Sequence, residues 1–599
     1  MSLAPDIAHD DPYLTLPLHG VRLIEASAGT GKTFTLATLF TRLVVEHGLR
    51  IGQILAVTFT DAATQELRKR IRERLALAAQ LVERLPADDD APDVMLTRRI
   101  LREHLQTGTE TAAALQRRLQ VAADEIDLAS IFTIHGFCTR VLREHALESG
   151  HTFDPPELLA SERALLDELA ADLWRVCASD ADAIDPLTRL WKTPQALADD
   201  LPALLKPLPL LPSATAVGPD PAAALLDATV ALKQAIAQHG DDFFGGVCSA
   251  VEARWLNGVS YKLSWLQPLC SQLRDWALHE GPAVALDSGR LAALLPDALA
   301  SKTNKSHAGR TPASPLQAVL QGYLHARAAR DSWLRARAIN FLHDLRRQAR
   351  QRLDALKRVR RVQTYDDLIN GVAAALEGPH RQALVQQLRA QYRIALVDEF
   401  QDTDDRQWSI FHTVFGDSEA TREAGLPAAL FLIGDPKQAI YGFRGGDIHT
   451  YLEAKRGAEA APALDRNFRS RPTVLRALQT LYANAGTEAF LDPAIQFEPV
   501  AAGSVRRDDD YLRDGMPAPG VTLRVLRNEA GRPFNADPSR EVACDALVAD
   551  VHDVLTAARA GRTQLRGRAV QPGDIAVLVR SHREATLVQR ALSAVGIPA

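Results

Sequence analysis

The chain has 599 residues, about four times the size of an average domain, so it is expected to fold as several domains. With 46% hydrophobic and 24% charged residues and a mean hydropathy of −0.11, its composition is that of a soluble globular protein and excludes a largely disordered chain. A formal charge of −5 excludes a protein that is basic overall, but it is compatible with a local basic groove for nucleic acid.

The sequence shows no sign of a membrane anchor or of export. No apolar run approaches the roughly 20 residues that a membrane helix needs, and residues 1–20 lack the basic start and apolar stretch of a secretory signal. We therefore expect a cytoplasmic protein without a membrane partner. The five cysteines form no CxxC pair and have no histidine at ligand spacing, so reduced thiols are expected rather than a zinc or iron–sulfur site.

Residues 20–77 alternate short apolar runs with amphipathic stretches. The pattern predicts a strand over residues 21–25, a helix over 33–46, a strand over 53–58 and a helix over 61–77. Such alternation is typical of a parallel α/β sheet. The expected fold class is therefore α/β, with parallel-sheet motor domains of the P-loop NTPase, or RecA-like, type.

A glycine-containing turn joins the first predicted strand to the first predicted helix. The turn reads Ala26-Ser27-Ala28-Gly29-Thr30-Gly31-Lys32-Thr33. It fits the phosphate-binding P-loop, except that Ala26 stands where the pattern begins with glycine. Glycines let backbone N–H groups curl around phosphate oxygens, Lys32 can reach the β and γ phosphates, and the Thr33 hydroxyl can bind Mg²⁺. These residues predict an ATP site; an exposed lysine on a glycine-rich turn is the structural alternative.

The middle of the chain, residues 156–361, has a different pattern. It is rich in Leu and Ala, and its apolar residues recur at spacings of three and four, so a large, mostly helical insertion with its own core is expected. The strand pattern resumes at residues 393–397, 429–433 and 574–579. Loops are predicted where Pro, Gly, Asp and Ser concentrate, at residues 86–93, 207–221 and 301–315.

The predicted strand over residues 393–397 ends in two adjacent carboxylates, Asp398 and Glu399. Open α/β sheets bind ligands at the carboxyl ends of their strands. Asp398 can hold Mg²⁺, and Glu399 can orient or deprotonate the water that attacks the γ phosphate. An exposed acidic turn is the alternative, but the P-loop upstream disfavours it. The two segments together predict an ATP hydrolase that uses Mg²⁺.

Further segments are more specific than general ATPase chemistry. They read VTFTDAATQEL at 57–67, TIHGFC at 133–138, TYDDL at 364–368, DEFQDTD at 398–404, GDPKQAIYGFRGGD at 434–447 and NFRSRP at 467–472. With the P-loop, they resemble the ordered motifs of superfamily 1 helicases of the UvrD/Rep type. They are most similar to the RecB family, the beta subunits of exonuclease V. The resemblance spans residues 16–599, with little of it in the helical insertion.

The resemblance implies roles for individual residues. Gln438 would sense the γ phosphate and couple its loss to movement on DNA, Arg469 would act as an arginine finger, and Phe468 would pack on adenine. Contacts to single-stranded DNA are implied for Thr58, Phe59, His135, Phe443 and Arg444. Core packing is the alternative for the two phenylalanines, and a surface or helix-cap role for Arg469.

Two basic runs, residues 68–74 and 346–361, could line a DNA track, or they could be ordinary solvated helix faces.

The resemblance also implies how the chain is organised. It places a first motor domain at residues 1–155 and 361–447, a helical insertion at 156–360, and an incomplete second motor domain at 448–599. Family members continue with a further insertion and a second arginine finger, and the RecB family continues into a nuclease domain. We therefore expect a fragment that binds nucleotide but turns it over slowly.

The function implied is that of a bacterial, nucleoid-associated 3′-to-5′ DNA helicase in recombinational repair. Its implied partners are DNA and RecC-like and RecD-like subunits. A free-standing UvrD/Rep-type helicase and an AddA-type subunit are alternatives within the same superfamily. From a different class, a non-catalytic DNA-binding scaffold that uses nucleotide as a switch is a further alternative.

Overall fold

A computed structural model describes residues 12–84, 91–108, 110–151, 154–279, 287–416, 429–442, 445–490, 492–503, 505–527 and 531–599. The chain divides into two compact units. The α/β unit comprises Met1–Pro155 and Tyr365–Ala599, and the helical unit comprises Pro156–Thr364.

A six-stranded parallel sheet forms the centre of the α/β unit. The order across the sheet is Ile131–Thr133, Ile54–Thr58, Ile394–Val397, Ala429–Gly434, Gly20–Glu25 and Glu459–Ala460. Three of the inner strands, Ile54–Thr58, Ile394–Val397 and Ala429–Gly434, are buried at every position, as expected for strands covered on both faces. The predicted α/β class and four of the five predicted strands are confirmed.

Apolar cores lie on the two faces of this sheet because successive residues of a strand point in opposite directions. Ile394 and Leu396 belong to one core, whereas Ala395 and Val397 belong to the other. The helices of the unit are Pro12–Thr15, Lys32–His47, Asp61–Leu81, Pro92–Thr107, Ala112–Asp124, Ile134–Glu144, Ala146–Ser149, Tyr365–Glu377, Arg381–Gln391, Asp405–Phe411, Ile448–Gly457, Pro472–Ala485, Ala536–Arg559 and His582–Ala594.

Threonine caps start two helices at the carboxyl edge of the sheet. The Thr60 hydroxyl accepts a hydrogen bond from Ala63 N at 3.1 Å, and the Thr133 hydroxyl accepts one from Gly136 N at 3.1 Å. Such caps satisfy backbone donors that have no partner within the helix. The chain therefore turns sharply from strand to helix just where the sequence motifs lie.

The helical unit confirms the mostly helical character predicted for the middle of the chain. Its helices are Arg163–Ala178, Ile184–Leu190, Pro194–Leu205, Ala222–Glu252, Leu263–Leu278, Ser288–Ala292, Pro296–Lys302 and Leu316–Arg360. Two short strands, Glu157–Leu158 and Val362–Gln363, pair in parallel where the chain enters and leaves. The 45-residue helix Leu316–Arg360 contributes to two separate cores. Among the described residues, no helix is long and apolar enough to span a membrane.

The chain after residue 460 forms two smaller sheets. Arg466–Asn467 pairs in parallel with Ala501–Ala502, and Met516–Pro517, Tyr511–Arg513, Thr563–Leu565 and Arg568–Ala569 form an antiparallel sheet in that order. The strand predicted at residues 574–579 is wrong: a 3₁₀ turn covers Pro572–Asp574, and residues 575–579 form no strand. Leu578 is 95% exposed. An apolar run forms a strand only where another strand pairs with it, and none of the described strands does so here.

The predicted loops at 207–221 and 301–315 are largely irregular, with a 3₁₀ turn at Lys305–His307. The loop predicted at 86–93 falls mostly outside the described residues, and a helix begins at Pro92. The five cysteines are free thiols, although Cys248 and Cys270, which are distant in sequence, are hydrogen-bonded to each other.

Helix Pro472–Ala485 has a remote cap whose charge makes its stability depend on pH. Asp508 accepts hydrogen bonds from Thr473 N at 2.7 Å and Thr473 Oγ1 at 2.6 Å, and it pairs with Arg476 at 2.9 Å. The hydrogen bonds from Thr473, helped by Arg476, lower the pKa of Asp508 to about 2. A lowered pKa stabilises the fold above the ordinary value of about 4, and this stabilisation is lost as pH falls from about 4 to about 2.

Asp508→Asn is expected to reduce the free energy of unfolding at pH 7 by about 1 kcal/mol, the usual contribution of a capping side chain. Because the neutral Asn lacks only the charge, the difference from the unsubstituted protein should shrink towards zero as pH falls from 4 to 2. Urea midpoints at pH 7 and pH 3, followed by hydrogen exchange in peptides covering Pro472–Ala485, measure this difference. A difference that is independent of pH would contradict the charged-cap explanation.

Candidate functional site

The P-loop curls at the carboxyl end of strand Gly20–Glu25. Gly29 and Gly31 have φ angles of +81° and +95°, which side chains rarely tolerate. A Cβ on Gly29 would also lie 2.6 Å from the Cβ of Arg469. Thr30 closes the turn, because its N and Oγ1 donate to Ser27 O at 3.1 and 2.7 Å. The backbone therefore has the curled shape of a phosphate cradle.

Ala26, the departure from the usual P-loop pattern, is buried within the sheet. Its N donates to Gly434 O at 3.0 Å, and the residue bridges in parallel to Leu464. Ala26 is not one of the described non-glycine residues with a positive φ angle, so an alanine fits here without backbone strain. The helix Lys32–His47 starts directly after Gly31, which places Thr33 in its first turn.

Lys32 lies between the two residues predicted to handle the γ phosphate. Its Nζ is 2.5 Å from Glu399 Oε2 and 3.4 Å from Gln438 Oε1. The predicted P-loop, acidic pair and glutamine thus converge on one point, although Lys32 and Glu399 are 367 positions apart in the chain. Asp435, which the sequence analysis did not single out, accepts from Gln438 Nε2 at 2.7 Å and orients this glutamine.

The carboxyl groups of Asp398, Glu399 and Asp402 lie close to one another near Lys32. Burial raises the pKa of Asp398 to about 7, repulsion by Glu399 adds to the rise, and Lys32 opposes it. Burial, and then repulsion by Glu399, raises the pKa of Asp402 to about 6. Asp402 Oδ1 is buried with no hydrogen-bond partner in the described part of the chain. A divalent cation favours the ionised form of a carboxyl group, so the residues present fit Mg²⁺.

The segment Leu464–Arg469 lies against the P-loop. Leu464 N donates to Glu25 O at 3.0 Å, Asn467 Nδ2 donates to Ala28 O at 2.7 Å, and Phe468 N donates to Gly29 O at 2.8 Å. The Asn467 side chain also accepts from Arg469 N at 2.9 Å. The NFRSRP motif is therefore attached to the phosphate cradle by its backbone and by Asn467, a role that sequence reasoning missed.

Two arginines of this motif differ in their environment. Arg469 is exposed beside the P-loop. The Arg471 guanidinium instead donates to the carbonyls of Asp508, Ala518 and Pro519 at 3.0 to 3.3 Å. Phe468 is 39% exposed and available to a ligand, with one ring edge against Gly503. Arg469, rather than Arg471, is thus the arginine free to meet a phosphate.

Glu25 is a further residue that the sequence analysis did not assign. Its carboxylate accepts from Tyr451 OH at 3.1 Å and from Lys455 Nζ at 2.8 Å, so the P-loop strand is joined to helix Ile448–Gly457. The only signal in the sequence was its position next to the P-loop.

Three of the residues predicted to contact DNA, Thr58, Phe59 and His135, lie at the carboxyl ends of strands Ile54–Thr58 and Ile131–Thr133 of the same sheet. Thr58 is buried, and its hydroxyl donates to Thr60 O at 3.2 Å. The ring of Phe59 lies 5.0 Å from that of Tyr441. His135 meets Tyr365 edge-to-face at 5.1 Å, and burial lowers its pKa. Phe443 and Arg444 lie outside the described residues.

The two basic runs make mainly internal contacts. In the first, Arg72 pairs with Asp127 at 2.9 Å, and Arg74 lies over the Phe34 ring at 4.4 Å. In the second, Arg346 donates to Lys206 O and Leu208 O, both at 2.5 Å, and Lys357 pairs with Glu162 at 2.6 Å. These contacts favour a structural role for both runs over a continuous DNA track.

The sequence is similar to those of known helicase proteins. A family model described as UvrD/REP helicase N-terminal domain matches residues 12–459. The RecBCD enzyme subunit RecB of Escherichia coli is 31% identical, with 99% of this chain and 49% of that protein covered. The corresponding subunit of Haemophilus influenzae is 28% identical, with 98% and 49% covered. That of Mycobacterium tuberculosis is 30% identical, with 98% and 40% covered.

The chain spans about half the length of the curated relatives it matches, or somewhat less. The family model covers well over half of the chain, and the P-loop, the acidic strand end and the two later motifs meet at one edge of its sheet. The chain belongs to the UvrD/REP helicase family.

Proposed function

We propose that the chain is the ATP-dependent 3′-to-5′ DNA helicase subunit of a RecBCD-like helicase–nuclease in recombinational repair. The observation that carries the proposal is the convergence of Lys32, Glu399 and Gln438 at one point beside the P-loop. The relatives named RecB favour this subunit over a free-standing UvrD/Rep-type helicase, an AddA-type subunit or a non-catalytic scaffold. Its proposed partners are DNA, as a single strand and a duplex end, and RecC-like and RecD-like subunits.

ATP binding begins with an exchange of partners at Lys32. The β and γ phosphates are stronger partners for its ammonium group than the single carboxylate of Glu399, so Lys32 turns to the phosphates. Backbone N–H groups of the P-loop other than that of Thr30 surround the phosphates, and the positive end of helix Lys32–His47 adds attraction. Phe468 packs on the adenine ring.

Thr33 and Asp398 are the residues that would hold Mg²⁺, which neutralises charge on the β and γ oxygens when it is bound. Glu399, once released by Lys32, accepts the proton of the attacking water. Arg469 spreads its charge over the γ-phosphoryl oxygens. Gln438 contacts the γ phosphate, and its bond to Asp435 passes the loss of that phosphate to the strand end at Gly434.

The DNA strand runs along the carboxyl edge of the sheet. His135 and Arg444 contact its backbone, and Phe59 and Phe443 stack on bases. Thr58 is buried and instead holds the turn before helix Asp61–Leu81 through its bond to Thr60 O. Base–aromatic stacking contributes about 1–3 kcal/mol per base and does not depend on base identity, which suits a motor that must pass any sequence. In this proposal residues 1–155 and 361–447 form the first motor domain, 156–360 its insertion, and 448–599 part of the second motor domain.

Lys32→Ala is expected to weaken ATP binding and to lower kcat/KM for single-stranded-DNA-stimulated ATP hydrolysis by on the order of 10³-fold, because a preorganised charge at the phosphates is lost. Phosphate release and binding of a fluorescent ATP analogue measure the two effects. Activity of Lys32→Ala equal to that of the unsubstituted protein would exclude this site as the ATPase centre.

Lys357→Ala is the matched control. Lys357 is 12% exposed and pairs with Glu162 at 2.6 Å, whereas Lys32 is also 12% exposed and pairs with Glu399 at 2.5 Å. The two substitutions therefore break equivalent ion pairs. Only the lysine of the P-loop should affect ATP hydrolysis.

A further inference from the structure

Gln401 is a buried polar residue that lies between the predicted catalytic residue Glu399 and Asp435, the partner of Gln438. Its side chain is 2% exposed. Its Nε2 donates to Glu399 Oε2 at 2.8 Å and to Asp402 Oδ2 at 3.3 Å. Its Oε1 accepts from Asp435 N at 3.0 Å. The amide thus has a partner on both of its sides.

The orientation of this amide is determined by its partners. Two carboxylate oxygens can only accept hydrogen bonds, and a backbone N–H can only donate. A flipped amide would place its oxygen against two carboxylates and its NH₂ group against an N–H. The observed orientation is therefore the one that chemistry allows, and a buried amide in this position has little freedom to move.

Gln401 completes a closed ring of hydrogen bonds. The ring runs from Lys32 to Glu399 at 2.5 Å, to Gln401 at 2.8 Å, to Asp435 at 3.0 Å, to Gln438 at 2.7 Å and back to Lys32 at 3.4 Å. Lys32, Glu399 and Gln438 are thereby joined to one another. When phosphate takes Lys32 away, Gln401 is the described side chain that still holds Glu399.

The Gln401 amide packs closely against the end of the neighbouring strand. A Cβ on Gly434 would lie 2.7 Å from Gln401 Oε1, so a side chain at this position would displace the amide from its observed place. Glu399 itself has a φ angle of +50°, an unfavourable backbone conformation for a residue with a side chain. Strain of this kind persists where neighbouring groups hold the residue in place.

We propose that Gln401 is a positioning residue for ATP hydrolysis, which holds Glu399 against the attacking water and couples it to Gln438 through Asp435. The inference rests on the proposed ATPase function. The hydrogen-bond path through Gln401 lets Glu399, which follows strand Ile394–Val397, respond to Gln438, which follows the neighbouring strand Ala429–Gly434.

The test is Gln401→Met, which keeps the length of the side chain and removes its hydrogen bonds. We expect kcat for DNA-stimulated ATP hydrolysis to fall roughly 10- to 100-fold, the usual effect of misplacing a reacting group, while the KM for ATP changes less than about threefold. Affinity for ADP with aluminium fluoride, which mimics the transferred phosphoryl group, should fall by a similar factor. Affinity for ADP alone should not change.

Coupling distinguishes positioning from a general structural effect. When Gln438→Ala is already present, adding Gln401→Met should lower kcat by a much smaller factor than it does in the unsubstituted protein. The hydrogen-bond path from Gln401 to Gln438 is then already broken. Gln317→Met is the matched control, since Gln317 is 3% exposed and donates to Leu294 O at 2.8 Å in the helical unit. It should leave kcat and both affinities unchanged.

If Gln401→Met had the same kcat and the same affinity for ADP with aluminium fluoride as the unsubstituted protein, the inference would be overturned and the proposed function would stand. Additive effects of the Gln401 and Gln438 substitutions would overturn the coupling. If the unsubstituted protein bound neither ATP nor ADP with aluminium fluoride, the proposed function would itself be wrong, and the inference with it.

Discussion

Glu399→Gln is expected to lower kcat for ATP hydrolysis by on the order of 10³-fold, because the amide cannot accept the proton of the attacking water. Binding of ATP should be unchanged or tighter. Lys32 lies 2.5 Å from the Glu399 carboxylate, and a neutral amide competes less strongly with phosphate for this lysine. Single-turnover hydrolysis and equilibrium binding of ATP separate the two effects.

Glu162→Gln is the control for this substitution, because Glu162 forms the equivalent ion pair with Lys357 in the helical unit. It should leave both ATP hydrolysis and ATP binding unchanged. A Glu399→Gln protein that hydrolyses ATP at the normal rate would show that another group accepts the proton. Asp402 would then be the first residue to examine, since its buried Oδ1 has no partner in the described part of the chain.

Arg469→Ala is expected to lower kcat by roughly 10³- to 10⁵-fold, the range found for arginine fingers. The thermal unfolding midpoint should hardly change, because the side chain is exposed and the Arg469 backbone is held independently by Asn467. Phosphate release and differential scanning fluorimetry measure the two quantities on the same protein.

Arg471→Ala is expected to lower the thermal unfolding midpoint, which Arg469→Ala should leave nearly unchanged. The Arg471 guanidinium donates to the backbone carbonyls of Asp508, Tyr511, Ala518 and Pro519. Its loss leaves these acceptors without this partner and should lower the thermal midpoint. Two arginines that are two positions apart are thus predicted to differ in kind, one acting on the reaction and the other on stability. Normal hydrolysis by Arg469→Ala would exclude the finger role.

The local signals in the sequence were sufficient for the nucleotide cradle. The alternation of strand and helix predicted the parallel sheet. The glycines of the P-loop predicted a curled backbone, and Gly29 and Gly31 have the positive φ angles of such a curl. The acidic pair following strand Ile394–Val397 was predicted to face the P-loop, and Glu399 contacts Lys32 there. These signals work because backbone conformation and the edge at which strands end depend on neighbouring residues.

Other features depended on contacts that no local pattern reports. The bond from Asp435 to Gln401, the attachment of Asn467 to Ala28 and the pair of Arg72 with Asp127 join residues far apart in the chain. Residues 574–579 have the pattern of a strand, yet no described strand pairs with them. In the sequence, a run of basic residues has the same pattern whether its side chains face solvent or donate to backbone carbonyls.

The sequence by itself therefore determined the fold class and the curled P-loop, and it predicted the residues, Glu399 and Gln438, that meet at Lys32. The tertiary structure decided which groups hold them in place. The physical reason is that a turn or a strand is specified by adjacent residues, whereas a hydrogen-bond ring such as that of Lys32, Glu399, Gln401, Asp435 and Gln438 forms only when the sheet brings distant strand ends together.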